Sequence, residues 1–358
     1  MKKLIISTAA LAPALKKLSQ AVSSNAPLPV LKNLYCRVTP GQLELIGTNT
    51  EITIFYRMEC EMKEEFEFLA PFDLLSKIVA INKNCPLEIE AGKHVRIKGP
   101  DDNYDIKVSE KLEDFPKLPE VPKKNSFELN ADIVGCLGTA LTTAANPNKD
   151  HRLSHVLLEL SPGKVTIAST DGAHMVFSEE FASENQETEE ILISQPIVKA
   201  LTGFDAVKTS YHKKAISFEQ DNITIITTRS EYKFVNFRAV FPPEWPSNLT
   251  VNRGQLLEAL DKCSLSSDET KSTIVSISDK EMKFTADDHT VKINVSIPCS
   301  YTGTVGETTV NSDRLLKLLN QLDNDEIQLA VHDGKKAIVI TIPDDAGYKG
   351  MIMPIASK

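Results

Sequence analysis

The sequence predicts an α+β protein made of three tandem copies of one unit, each combining two helices with antiparallel sheet. Three observations carry this reading: one helical frame, one strand–turn–strand segment and a second helical frame, each occurring three times in the same order. Self-similarity at a fixed long period is the mark of a repeated structural unit.

The first frame places apolar residues on one helical face. Leu11, Leu15 and Leu18 correspond to Ile133, Leu137 and Ala140, and then to Leu256, Leu260 and Cys263. The step is 122 residues from Leu11 to Ile133 and 123 from Ile133 to Leu256. A short extended segment precedes each helix: LIIST, SFELN and LTVNR.

The second observation is LELIGTNTE (43–51), VTIASTDGA (165–173) and MKFTADDHT (282–290), with Leu45, Ile167 and Phe284 in register. Alternating apolar residues run into a polar turn, and an apolar run follows, such as ITIFYRME or HMVFSEEF. That pattern is a hairpin. The middle copy is the sharpest, because Asp171-Gly172 is a tight-turn pair.

The third is FLAPFDLLSKIV (68–79), ILISQPIVKALTG (191–203) and TTVNSDRLLKLLNQL (308–322): a strand end, a helix-starting polar or proline residue, then a helix. Further strands follow each copy, as in LEIEAGKHVRIKG. Each third therefore reads helix, strands, helix, strands, and helices packed on antiparallel sheet would cover the apolar faces of both. Proline and charge cluster in EKLEDFPKLPEVPKKN (110–125) and FPPEWPSN (241–248), which sets the expected domains at 1–124, 125–247 and 248–358.

Composition narrows the function. With 358 residues, 41% apolar and 25% charged, the chain is long enough for two or three cores. A formal net charge of −9 excludes a surface uniformly coated in positive charge, but not a local basic face. The six cysteines form no C-x-x-C pair, so reduced thiols and no zinc site are expected. MKKLIISTAALAPAL has the basic start and apolar stretch of a secretory signal. The helical frame of Leu11, Leu15 and Leu18, with Lys16 and Lys17 between them, argues for a folded helix instead. No run is long enough to cross a membrane, and a cytoplasmic protein is expected.

No catalytic constellation stands out. The seven histidines are dispersed, and there is no glycine-rich phosphate loop or H-E-x-x-H. Asp287-Asp288-His289 and Asp171 both fall in the repeated turn, where Asp is a turn former. The expectation is a non-enzyme with no cofactor and no metal.

Several segments carry a family resemblance. NAPLPVLKNLYCRV (25–38), EDFPKLPE (113–120), STDGAHMV (169–176), Phe241-Pro242 and the ending Met351-Ile352-Met353-Pro354-Ile355 occur in order along the whole chain. Together with the triple unit they resemble the bacterial DNA polymerase sliding clamp, the beta subunit of the replicative polymerase. The resemblance implies a DNA clamp fold closing into a ring as a head-to-tail homodimer, with helices lining a hole for duplex DNA. It implies a processivity factor that binds DNA without reading sequence. Its implied partners are the DNA polymerase III alpha subunit, a clamp-loader ATPase and other proteins bearing a clamp-binding motif.

Carried over position by position, the resemblance implies a partner-peptide cleft formed by Leu153, Thr170, Gly172, His174, Met175, Pro242, Met351, Ile352, Met353, Pro354 and Ile355. Methionine and aliphatic side chains make such a groove adaptable. Lys16, Lys17, Lys77, Lys199, Lys262, Arg314 and Lys317, on the repeated helices, are the implied DNA-facing cations, and Leu265 the implied dimer contact. A ring that slides needs this kind of sequence-independent attraction to phosphate.

The chain departs from the family at telling places. His174 stands where the family has arginine, Pro243-Glu244-Trp245-Pro246 replaces a basic stretch, and Asn25 stands where well-known members carry a DNA-touching arginine. A divergent or second-copy clamp with altered partner preference is expected. The alternative is a clamp-fold peptide-binding hub that no longer encircles DNA efficiently.

Overall fold

The computed structural model describes residues 2–92, 94–181, 187–241, 248–266, 270–288, 290–302, 306–331, 336–343 and 345–355. Six helices appear among them: α1 (Thr8–Leu18), α2 (Phe72–Ile81), α3 (Ala131–Leu141), α4 (Gln195–Leu201), α5 (Arg253–Cys263) and α6 (Ser312–Leu319). The α+β expectation and the two-helix repeat are borne out.

Local chemistry repeats as closely as the apolar frames do. The residue before each first helix caps it with a side-chain oxygen. Ser7 Oγ accepts from Ala9 N at 3.1 Å, Asn130 Oδ1 from Ile133 N at 2.9 Å and Asn252 Oδ1 from Gln255 N at 3.0 Å. Such a cap satisfies an amide the helix cannot, and is worth about 1 kcal/mol. The apolar frame then turns inward: Leu11, Leu18, Leu137, Leu256 and Leu260 are buried.

The repeated turns share one construction. Thr48 Oγ1 donates to Ile52 O at 3.0 Å, and Thr170 Oγ1 to His174 O at 2.8 Å. Asn49, Asp171 and Asp288 each use Oδ1 to accept from the amides two and three residues on. Thr50 and Gly172 adopt left-handed φ values of 76° and 88°. Glycine reaches that region without steric cost; threonine does not. His289 lies outside the described residues.

The chain divides into two compact units, residues 1–134 with 199–230, and 135–198 with 231–358. Every pairing in both is antiparallel. The first unit holds a four-stranded sheet (Lys2–Ser7, Pro86–Ala91, His94–Lys98, Asn103–Lys107) and an eight-stranded one. The eight-stranded sheet forms where Ile52–Glu59 pairs with Ile223–Thr228, joining strands about 170 residues apart in sequence. Lys98 and Lys3 grip Glu90 on the smaller sheet and lower its carboxyl to about 2.

The second unit repeats this plan with a four-stranded sheet and a nine-stranded one. The nine-stranded sheet forms where His174–Phe181 pairs with Asp345–Ile352, in the register Met175 to Met351 and His174 to Ile352. The C-terminal strand is thereby fixed beside the middle hairpin. Below it, Leu157, Ala168, Met175, Phe177, Phe237, Val339 and Met351 form one buried cluster, with the Phe177 ring 5.5 Å from Phe237 and 4.7 Å from Phe241.

Candidate functional site: a groove beside the middle turn

The site lies within the second unit and starts from the turn. Asp171 Oδ1 accepts from Ala173 N at 2.8 Å and His174 N at 2.9 Å, which shapes the reversal, and the His174 ring bonds the same oxygen through Nδ1 at 2.8 Å. The other carboxylate oxygen, Oδ2, accepts from Arg314 Nη2 on α6 at 3.1 Å. Burial alone would push the Asp171 carboxyl up. Hydrogen bonds from the His174 ring and the two amides outweigh it and hold the group well below the usual carboxylate range.

An ionised carboxylate carries no proton to share, so the proton on Nδ1 must belong to the ring. In the neutral ring Nε2 is then an acceptor. His174 is 4% exposed, and its Nε2 is shut off from solvent without a hydrogen-bond partner. A buried polar atom left unpaired costs about 1–3 kcal/mol, which makes it notable in an otherwise satisfied turn.

A second wall is the 144–153 segment. Thr143 Oγ1 donates to Ser169 O, anchoring the end of α3 to the hairpin, and Gln195 Nε2 donates to Ala145 O at 2.7 Å. Asp150 Oδ1 accepts from the amides of Arg152 and Leu153, placing Leu153 next to the turn. A β-carbon on Gly172 would lie 3.8 Å from Leu153 Cδ1, so the two are in contact range. The tail is the third wall: Met353 N donates to Ala173 O at 2.8 Å and Ile355 N to Thr309 O at 2.7 Å. Between the walls runs a groove of about 830 Å3. Ala144, Ala145, Pro147 and Ile355 give it an apolar face, while Lys149, Asp171, His174, Asn311, Arg314 and Lys317 give it a polar one.

Most of the residues the resemblance implied for a cleft meet here, though not all as surface. Gly172 is exposed, as is Met353, and Leu153, Pro354 and Ile355 are half-buried. Thr170, Met175, Met351 and Ile352 are buried and belong to the core under the site. Pro242 lies outside the described residues. Sequence reasoning passed over Lys149, Gln195 and Asn311, which carry no signal until loop 144–150 and α6 are brought together. It also read Asp171 as turn former alone, whereas the carboxylate holds both His174 and Arg314.

The implied DNA-facing cations divide. Lys16, Lys77, Lys199, Lys262 and Lys317 are exposed, with Lys262 paired to Glu258 one helical turn away at 2.6 Å. Lys17 requires a correction. Its Nζ donates to Ala200 O and Thr202 O, both at 2.8 Å, and sits 4.4 Å from the Phe204 ring centre. Burial, with Lys16 beside it, lowers its pKa. The ammonium caps the C-terminal end of α4, where carbonyls lack helical partners. Arg314 is corrected likewise, since its guanidinium is bonded to Asp171. Leu265 is 76% exposed just beyond α5. Among the described residues no cluster of metal-ligating side chains occurs.

A triple two-helix repeat on antiparallel sheets, with a groove between the middle hairpin and the C-terminal strand, defines the DNA clamp class of proteins. Comparison with known proteins makes this particular. A model of the DNA polymerase III beta subunit N-terminal domain matches residues 2–119, and one of its C-terminal domain matches 238–356, well over half of the chain between them. The chain belongs to the DNA polymerase III beta subunit family.

The Beta sliding clamp of Chlamydia pneumoniae is 25% identical over 365 residues, spanning 99% of this chain and 98% of the relative. That of Vibrio cholerae is 20% identical over 354 residues, with 95% and 96% covered. Crystal structures of the DNA polymerase III beta subunit from Pseudomonas aeruginosa and Thermotoga maritima superpose with a TM-score of 0.91 at 20% and 19% identity, covering 99% of this chain and 100% of each. The fold is thus held at an identity where most surface residues have changed.

Proposed function

We propose that the chain is a DNA sliding clamp, a non-catalytic processivity factor that encircles duplex DNA and tethers the replicative polymerase and other partners. The observation that carries this reading is the full-length match to beta sliding clamps, together with the triple repeat that a ring-forming subunit requires. In this reading residues 1–124, 125–247 and 248–358 are the three domains, and two chains join head to tail. Leu265 contributes to the joint, since a large apolar side chain left this exposed is best explained by a partner surface. Lys16, Lys77, Lys199 and Lys262 supply the attraction to phosphate, with acidic residues elsewhere limiting non-specific adhesion. The polymerase alpha subunit, the loader ATPase and other motif-bearing proteins dock in the groove around Leu153, Gly172, Met353, Pro354 and Ile355, with Pro242 beside it.

Among the described residues no helix is long and apolar enough to cross a membrane, and a role on chromosomal DNA places the protein in the cytoplasm. Loading onto nicked circular DNA, followed by linearisation, tests the proposal directly. A topologically linked ring stays on the circle and is lost from free ends. Equal retention on both would refute encirclement, and with peptide binding intact would identify the peptide-binding hub instead.

A further inference from the structure

The groove beside Asp171 and His174 is more cationic than its composition suggests, because its acids are unequally committed. Asp171 is bound by His174 and Arg314, and Asp150 Oδ1 by the amides of Arg152 and Leu153. Lys149 and Lys317, in contrast, form no ion pair among the described residues, and Arg314 reaches Asp171 through Nη2. Asp313 is the one lining acid left uncommitted against them. Positive charge is therefore the unmet demand of this face.

The His174 ring adds a second demand. Its Nδ1 is taken by Asp171, and its buried Nε2 is an acceptor with no donor. A DNA backbone presents phosphate and sugar oxygens, which accept hydrogen bonds and cannot satisfy that atom. An extended peptide presents amide N–H groups that can. The apolar side formed by Ala145, Pro147 and Ile355 suits an aliphatic side chain and repels a sugar–phosphate chain.

We infer that this groove selects extended peptide segments bearing a side-chain carboxylate, received by Lys317 and Lys149 beside Arg314, with a neighbouring aliphatic residue over Ile355 and a backbone amide on His174 Nε2. The inference rests on the partner-cleft reading above and adds the chemistry of the partner. It also moves Arg314 and Lys317 from the DNA-facing set, where their helix alone would place them, to the recognition of protein partners.

The test uses the full-length protein and fluorescein-labelled decapeptides carrying two leucines and a single Glu, with the Glu moved along the peptide and each sequence paired with its Gln counterpart. Anisotropy titrations should show the Glu peptide binding several-fold tighter than its Gln counterpart at one or two positions of the Glu. Lys317→Gln and Lys149→Gln should each lower that preference by about threefold while leaving the Gln peptide unchanged, the range of a partly exposed ion pair. High salt should erode the preference in the same way.

Equal binding of Glu and Gln peptides at every position would overturn the carboxylate inference and leave the cleft reading standing. Failure of every peptide to bind would overturn both, while retention on circular DNA would still stand for the clamp itself. A Lys317→Gln variant that keeps the peptide preference but loses duplex binding as Lys16→Gln does would overturn the inference in favour of DNA phosphate.

Discussion

Replacing Asp171 by asparagine tests the charge at the centre of the site while sparing its shape. The asparagine keeps an oxygen for the amides of Ala173 and His174, so the turn survives. It loses the charge and sets an NH2 group against Arg314 Nη2, 3.1 Å from the present oxygen. Hydrogen bonds to a charged group contribute about 1.5–3 kcal/mol and neutral ones about 1, so weakening the two amide bonds and the His174 bond costs about 2 kcal/mol in total. The Arg314 bridge adds only about 0.5–1 kcal/mol, since that side chain is 38% exposed and its charge is screened. D171N should therefore destabilise the second unit by about 2–3 kcal/mol, or roughly 4–10 °C in Tm.

Asp171 has a folded pKa below its unfolded value near 3.9. Its contribution is accordingly complete above about pH 4 and is lost as pH falls towards the folded value. The gap between wild type and D171N should be flat from about pH 5 to 8 and narrow below about pH 4. Because a two-unit chain need not melt in one step, hydrogen exchange of the 164–181 peptide is the cleaner assay. A difference below about 0.5 kcal/mol, or one that widens on acidification, would refute the reasoning.

Lys17→Ala should lower the stability of the first unit by about 1–2 kcal/mol through the lost cap on Ala200 and Thr202, yet barely change the salt dependence of DNA binding. Lys16→Ala or Lys199→Ala should do the reverse, reducing the log–log salt slope by up to about 0.9 with melting unaltered. Leu265→Glu should convert a dimer to a monomer in light scattering after size exclusion; an unchanged mass would remove Leu265 from the joint. Met175→Ala should cost about 2–5 kcal/mol in denaturant unfolding, as a cavity in the core beneath the groove; a surface-like cost below about 0.5 kcal/mol would contradict its burial.

The repeat was legible because its signals are local. A capping oxygen, an apolar frame at helical spacing and an Asx turn each act within a few residues, so Ser7, Asn130 and Asn252, or Asn49, Asp171 and Asp288, announce themselves in the linear order. Side-chain commitments were not legible. Lys17 and Lys16 are neighbours on one helix, yet one caps α4 and the other is free in solvent. That difference depends on a helix end some 180 residues away.

What the sequence by itself determined is therefore the number of units, their helices and turns, and, through motifs strung along the whole chain, the family. What only the tertiary structure decided is which charges are already spent. Asp171 and Arg314 are 143 residues apart, and nothing local pairs them until the strand His174–Phe181 meets Asp345–Ile352 and α6 is carried in beside the turn. Coulomb and hydrogen-bond partners are chosen by proximity in space, and sequence periodicity carries no information about them. The buried Nε2 of His174, the free ammonium groups of Lys149 and Lys317, and the groove they share exist only at that level.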